Sequence, residues 1–227
     1  MIGKTVVIGL GGIGSFLALV LCRYLNFTNH CKKIMLVDGD RYGRENLTRQ
    51  NISALEETKN KAEAQAIYLK SLFNTLTIVP IPEFVTEKNV AEIITDKSVV
   101  FLAVDNHATR KIVSERCKRL QDVVLISGGN EISDGNIQIY IKKNGRSRNP
   151  PIERFHPEIA QPRDKNPAEL SCEELARLSG SEQIIFTNLT AACLMLNAFY
   201  TIVAEKPLRY AEVYFDIERN KALPRQR

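Results

Sequence analysis

Five groups of residues in this 227-residue chain have types and spacing that could do chemistry: Gly9-Leu10-Gly11-Gly12-Ile13-Gly14, Asp38, Asn46-Leu47-Thr48-Arg49-Gln50, Lys61 and Asp105-Asn106. The glycine run follows a β-branched stretch and precedes a Leu/Ala-rich one, the context of a strand that turns into a helix around a phosphate. There Gly9, Gly11, Gly12 and Gly14 let the backbone turn tightly and approach phosphate oxygens, while the helix N-terminus offers unpaired N–H groups. Asp38 falls where a carboxylate accepts hydrogen bonds from ribose hydroxyls; a 2′-phosphate would be repelled, which disfavours NADP.

Asn46, Arg49, Gln50 and Lys61 add more than a dinucleotide site needs. A pyrophosphate bridge is held mostly by backbone amides and gains little from two further cations. A triphosphate losing pyrophosphate gains much, because charge builds on the leaving group. One cation ~4 Å from an anionic oxygen is worth about 4 kcal/mol at an effective dielectric of about 20. Asp105 ends a predicted strand at the carboxyl edge of the sheet, where a lone carboxylate suits Mg²⁺; the competing reading is helix capping by Asp105 or Asn106.

The elements that must position these residues alternate. Strands are predicted over 4–9, 33–38, 76–80, 98–104 and 123–127, the last ended by Gly128-Gly129. Helices are predicted over 12–24, 61–73, 90–94 and 109–120. This order implies an α/β fold, a doubly wound, Rossmann-like and largely parallel sheet with helices on both faces. Residues 136–142 alternate as a strand with one wet face, so antiparallel strands join in the C-terminal part. Residues 144–170 hold five of the nine prolines and little periodicity, an irregular crossover within a single domain spanning 1–227. A helix follows from Cys172, a longer one covers 182–204, and 213–217 form a final strand before a basic tail. The apolar run at 189–204 is short for a bilayer and reads as a buried helix.

Composition narrows the function classes. A net charge of +5 permits an acidic partner or a phosphate-rich ligand without requiring nucleic acid, and no basic block forms a nucleic-acid arm. The five cysteines, Cys22, Cys31, Cys117, Cys172 and Cys193, form no C-x-x-C pair, so no zinc is expected. Their odd number and the absence of a secretory leader fit a cytoplasmic setting. Cys22, Cys117 and Cys193 read as core residues. His30, His107 and His156 do not cluster.

From the glycine turn to Asp105-Asn106 the chain resembles the ThiF/MoeB family, which includes the catalytic adenylation domain of ubiquitin-activating enzymes. The Asp38…Asn46-Leu47-x-Arg49-Gln50 element carries the resemblance more specifically than the glycines do; the later half matches loosely. The resemblance implies ATP-dependent adenylation of the C-terminal carboxylate of a ubiquitin-like or sulfur-carrier protein, usually ending in Gly-Gly, with a homodimer or a hetero-partner chain completing the assembly. It implies that Gly11 and Gly12 approach the phosphates and Asp38 holds the ribose. Asn46, Arg49 and Lys61 polarise the phosphates, with Arg49, Lys61 and Asp105 as catalytic residues and Asp105 on Mg²⁺. Cys172, placed to start a helix with Ser171 as its cap, is the candidate acyl acceptor for a thioester. Arg148, Arg154 and Arg163 of the crossover could line a channel for the substrate tail, or belong to a surface loop. Many relatives carry two zinc-binding C-x-x-C pairs, which this chain lacks. Many also begin with an arginine-bearing helix where this sequence opens on its first strand. The alternative readings are an NAD-dependent oxidoreductase, which lacks an evident proton donor and leaves Arg49 and Lys61 unexplained, and a non-catalytic nucleotide-binding subunit, which has no use for those cations.

Overall fold

The computed structural model describes residues 2–53, 56–171, 174 and 184–226. The expected helix from Cys172, and Cys172 itself, lie outside these residues. Five parallel strands form the first half of one sheet: β1 (Lys4–Ile8), β2 (Lys33–Val37), β3 (Thr77–Ile81), β4 (Ser98–Leu102) and β5 (Val123–Asn130). They follow the order β3-β2-β1-β4-β5. From β1 the chain therefore winds one way to β2 and β3 and the other way to β4 and β5. The crevice between the carboxyl ends of β1 and β4 is the switch point where such sheets bind ligands.

The second half is antiparallel. β6 (Asp134–Lys143) pairs with β5, β8 (Tyr210–Asp216) with β6, and β9 (Lys221–Gln226) with β8, while the short β7 (Arg146–Ser147) pairs with β6. Two expectations need correction here. β5 does not stop at Gly128-Gly129; both glycines pair with β6, at Ile137 and Asn136. The basic tail is a strand, because a turn after Asp216 folds 221–226 back on β8 and supplies the hydrogen bonds that its sparse apolar residues do not advertise.

Helices cover both faces. α1 (Gly12–Asn26), α2 (Lys61–Leu72) and the long C-terminal helix, here α6 (Ile185–Val203), bury Leu17, Leu21, Leu69, Met195 and Phe199 against one face. α3 (Val90–Ile93), α4 (His107–Arg119) and α5 (Pro157–Ala160) cover the other, around Val100, Leu102, Val113 and Leu125. At 19 residues and a mean hydropathy of 1.4, α6 is long and apolar enough to cross a bilayer. In the fold its Ala191, Ala192, Met195, Ala198 and Phe199 are buried in the same core as α1 and the inner strands. Cys22 and Cys117 are core residues whose thiols burial pushes up to about 12. Cys193, expected in the core, is exposed instead, on the outer side of α6.

The irregular crossover is fastened to the carboxyl edge of the sheet. Asp164 accepts the N–H groups of His107 (2.7 Å) and Ala108 (2.9 Å) at the start of α4. Asn166, 2% exposed, donates to the carbonyl of Val85 (2.8 Å) and to the Thr109 hydroxyl (3.2 Å). These bonds satisfy orphan groups of a helix end and a loop, so the segment has fixed partners without periodicity.

Candidate nucleotide site

Each of the four glycines has its own reason. Gly9 has φ +86°, and a Cβ there would lie 2.6 Å from the Ala103 carbonyl oxygen, so only glycine makes this turn out of β1. A Cβ at Gly14 would lie 1.9 Å from the Gly9 carbonyl oxygen; Gly14 lets α1 close onto the end of β1 and does not line the cavity described below. Gly11 faces open space, its nearest neighbour being the Gln50 amide nitrogen at 3.8 Å. Gly12 does not: the space above it is filled by the carboxamide of Asn188 from α6. Both glycines line the cavity described below, but only Gly11 has open space where a side chain would stand, while at Gly12 Asn188 fills it. Gly11 is also the N-cap of α1 and makes no side-chain cap bond, so the first N–H groups of the helix remain for an anion.

Asp38, 9% exposed at the end of β2, accepts the backbone N–H of Leu10 (2.6 Å) and that of Asp40 (2.9 Å). The first bond holds the glycine turn from a strand away. Burial pushes the Asp38 carboxyl above its ordinary range, against the pull of Lys61 and the two N–H bonds. Lys61, 6% exposed at the start of α2, has its ammonium on the Asp40 carboxylate and 5.9 Å from the centre of the Tyr42 ring. Asn60 sets that geometry. Its oxygen caps α2 at Ala62 and Glu63, and its nitrogen donates to the carbonyls of Asp38 (3.0 Å) and Asp40 (3.1 Å).

The Asn46–Gln50 element forms a short 3₁₀ turn, Arg44–Thr48, with its exit. Asn46 is buried and accepts the N–H of Gly43 (3.1 Å), so this asparagine shapes the turn. The turn is docked on α1 and α2. Asn51 N–H donates to the Ser15 hydroxyl (3.0 Å), and Gln65 donates to the Asn51 carbonyl (2.9 Å). Half-buried Arg49 and buried Gln50 are thereby brought beside the glycine turn.

At the end of β4 the capping role falls to Asn106, whose side-chain oxygen accepts Thr109 N–H (2.8 Å), and to Asp164. Asp105 is left exposed on the cavity wall. Arg110, a residue no motif signalled, lies buried beneath. It donates to the Ser127 hydroxyl (2.6 Å) and to the carbonyls of Val104 (2.7 Å) and Gly128 (2.8 Å). Burial lowers its pKa to about 10, against Asp105 and Asp164, so it remains a cation at neutral pH.

These groups share one cavity of about 1260 Å³. Gly9, Gly11, Gly12, Asp38, Asn46, Arg49, Gln50, Lys61, Asp105 and Asn106 all line it. It runs on past β4 over β5, β6 and β8, to Asn136, Gln138, His156, Glu158 and Tyr214. From β2 to β8 is five strand spacings, about 24 Å at about 4.8 Å each. At that far end His156 bridges two carboxylates, Glu158 through Nδ1 (2.9 Å) and the fully buried Glu212 through Nε2. Burial works to lower the His156 pKa, but the hydrogen bonds to Glu212 and Glu158 outweigh it and raise the value. The crossover contributes His156, Glu158, Ile159 and Pro167 to the wall; Arg148, Arg154 and Arg163 are exposed elsewhere. Of the two readings of these arginines, their exposed positions outside the cavity agree with the surface loop, and the wall there carries His156 and Glu158 instead.

Asp105 is a single carboxylate, and among the described residues no three His, Cys, Asp or Glu gather as a metal-ligand set. That donor set fits an ion that takes most of its ligands from phosphate and water.

Comparison with known proteins agrees with this architecture. A family model, the ThiF family, matches residues 3–223. The SAMP-activating enzyme E1 of Haloferax volcanii is 29% identical over 126 residues, 55% of this chain and 44% of its own. The adenylyltransferase and sulfurtransferase MOCS3 of Drosophila virilis is 30% identical over 135 residues, 59% of this chain and 28% of its own. The sulfur carrier protein ThiS adenylyltransferase of Bacillus subtilis is 30% identical over 115 residues, 49% of this chain and 33% of its own. The chain thus spans less than half the length of these relatives. Among solved structures, PaaA superposes with a TM-score of 0.74 at 16% identity, covering 99% of this chain and 64% of PaaA. Escherichia coli MccB crystallised with ATP superposes with a TM-score of 0.73 at 18% identity, covering 98% of this chain and 63% of MccB.

Proposed function

The chain belongs to the ThiF family, and from that premise we propose that it adenylates the C-terminal carboxylate of a small protein or peptide, a ubiquitin-like or sulfur-carrier protein by analogy with its relatives. One observation carries the reading. Arg49, Lys61, Asp105 and the glycine turn open on a single cavity that extends three strands beyond Asp105, past the space a nucleotide needs. An oxidoreductase reading explains neither the cations nor that extension.

The substrates are ATP and a carboxylate. A carboxylate oxygen attacks the α-phosphorus, the bond to the β-phosphate oxygen breaks, and pyrophosphate leaves. No proton moves, because the carboxylate is already ionised near neutral pH. The protein's work is alignment and charge stabilisation. Gly11 and the α1 N-terminus receive phosphate oxygens, Asp38 takes the ribose hydroxyls, and Arg49 and Lys61 meet the charge that grows on the leaving pyrophosphate. Asp105 would hold Mg²⁺, which neutralises phosphate charge when bound. Asn106 and Gln50 border the same site, and Asn46 acts through the turn it shapes. The carboxylate-bearing chain lies over β5, β6 and β8, under the crossover. A later thioester at Cys172 concerns a residue outside those described.

The test is ATP–pyrophosphate exchange by the full chain with co-purified or candidate small proteins carrying a free C-terminus. Exchange that depends on the partner and on magnesium supports the proposal. No exchange with any of them, together with tight NAD binding, overturns it.

A further inference from the structure

Asn188 stands in the first turn of α6, 139 residues beyond Arg49, and belongs to none of the motifs that mark the nucleotide end. It is nonetheless part of that end. Its carboxamide occupies the place of the side chain Gly12 lacks. An ideal Cβ on Gly12 would fall 2.3 Å from its Nδ2, 2.5 Å from its Cγ and 2.6 Å from its Oδ1. Distances this similar lay the amide face across the glycine turn, so its N–C–O edge lies to one side of Gly12, in a residue that lines the cavity.

That edge has hydrogen-bonding capacity to spare. Asn188 is 0% exposed. Nδ2 donates to the Arg49 carbonyl at 3.4 Å, a long bond that uses one of its two hydrogens. Oδ1 is buried and has no hydrogen-bond partner among the described residues. The second Nδ2 hydrogen is the group an anionic oxygen can accept, whereas Oδ1, an acceptor, is completed only by a donor such as water and not by a phosphate oxygen. The helix that carries it is anchored independently: the Thr187 hydroxyl donates to the Ile132 carbonyl (2.7 Å) at the turn between β5 and β6. The amide therefore sits on a fixed support, opposite the α1 N-terminus and beside Arg49.

We propose that Asn188 is a phosphate-binding residue, donating its second amide hydrogen to a nucleotide phosphate at the glycine turn while its first holds the Arg49 backbone. This deepens the nucleotide reading above and rests on it. A leucine of similar shape would satisfy a packing role and fail this one, and an aspartate would repel the phosphate.

The experiment measures binding of ATP, tripolyphosphate, adenosine and NAD to the full chain and to Asn188→Leu, Asn188→Ala and Asn188→Asp by calorimetry, with thermal melts alongside. Asn188→Leu and Asn188→Ala should weaken ATP and tripolyphosphate about ten-fold or more. Asn188→Asp should weaken them further, and adenosine should be unaffected in all three. Asn188→Ala removes bulk rather than adding it, so it keeps the test open if Asn188→Leu misfolds. Phosphate affinity unchanged in folded Asn188→Ala and Asn188→Leu overturns the proposal, as does an equal loss for adenosine, which would mark a structural role. If the parent binds NAD and not ATP, the adenylation reading fails, while a loss of NAD affinity in the variants still upholds Asn188. A parent that binds none of the four ends both.

Discussion

The two ends of the cavity are built differently. The parallel end, at β1, β2 and β4, gathers its groups from short motifs: the glycines 9–14, Asp38 and Asp40, Asn46 to Gln50, and Asn60-Lys61. The antiparallel end draws single residues from distant places: Asn136, Gln138, His156, Glu158, Glu212 and Tyr214. The first brings the backbone amides of the glycine turn together with Arg49, Lys61 and Asp105, groups suited to a phosphate and its metal ion. The second is a proton-bearing cluster with two carboxylates on one imidazole.

The charged groups of the parallel end carry the largest expected effect. Lys61→Ala or Asp105→Ala should lower pyrophosphate exchange by about three orders of magnitude, the size of one lost charge contact of about 4 kcal/mol. Asp105→Ala, at an exposed position, should leave the melting temperature unchanged. Exchange retained in both variants would strip the parallel end of its assigned work.

The glycines carry the next largest effect. Gly12→Ala collides with Asn188 and should cost about 1–3 kcal/mol of stability, read as a lower denaturation midpoint. Gly11→Ala meets nothing nearer than 3.8 Å, so it should melt with the parent and lose nucleotide affinity. Reversed outcomes would exchange their roles.

At the antiparallel end the expected effect is smaller and pH-dependent. The folded protein holds the His156 proton more tightly than the unfolded chain does. The resulting stabilisation is complete below about 6.5, the ordinary histidine value, and is lost as pH rises through the raised folded value. Glu212→Gln removes the buried carboxylate. Its stability deficit should be larger near about pH 6 than near about pH 9, and the His156 ring should titrate lower by NMR. A deficit independent of pH would mean that the cluster carries no proton-linked energy. Smallest of all, Arg154→Ala and Arg163→Ala should leave exchange within about two-fold, as exposed charges outside the cavity contribute little; a large loss would restore the arginine-lined channel.

Legibility followed the same divide. The five parallel strands, the helices between them and the residues of the first site were readable because strand, turn and helix adjoin in sequence, and β-branched runs closed by glycine have few other uses. The different surroundings of Gly11 and Gly12 were hidden, since the group that separates them sits at position 188. Arg110 gave no signal because a basic residue on a basic amphipathic helix reads as solvated, and only the fold shows its guanidinium turned under β5. His156 and Glu212 lie 56 residues apart, and a pairing across a sheet has no local pattern. The strand at 221–226 was masked by its charge, which suits an edge strand as well as a tail.

The ties of Asp164 and Asn166 bear on what can be delivered to this cavity. They turn a proline-rich stretch into a rafter bolted at the lip of the sheet, not a door on a hinge. On the adenylation reading, a crossover held in place predicts that a free C-terminal carboxylate is used in preference to one on a mid-chain side chain, a difference that pyrophosphate exchange with the two kinds of acceptor would show.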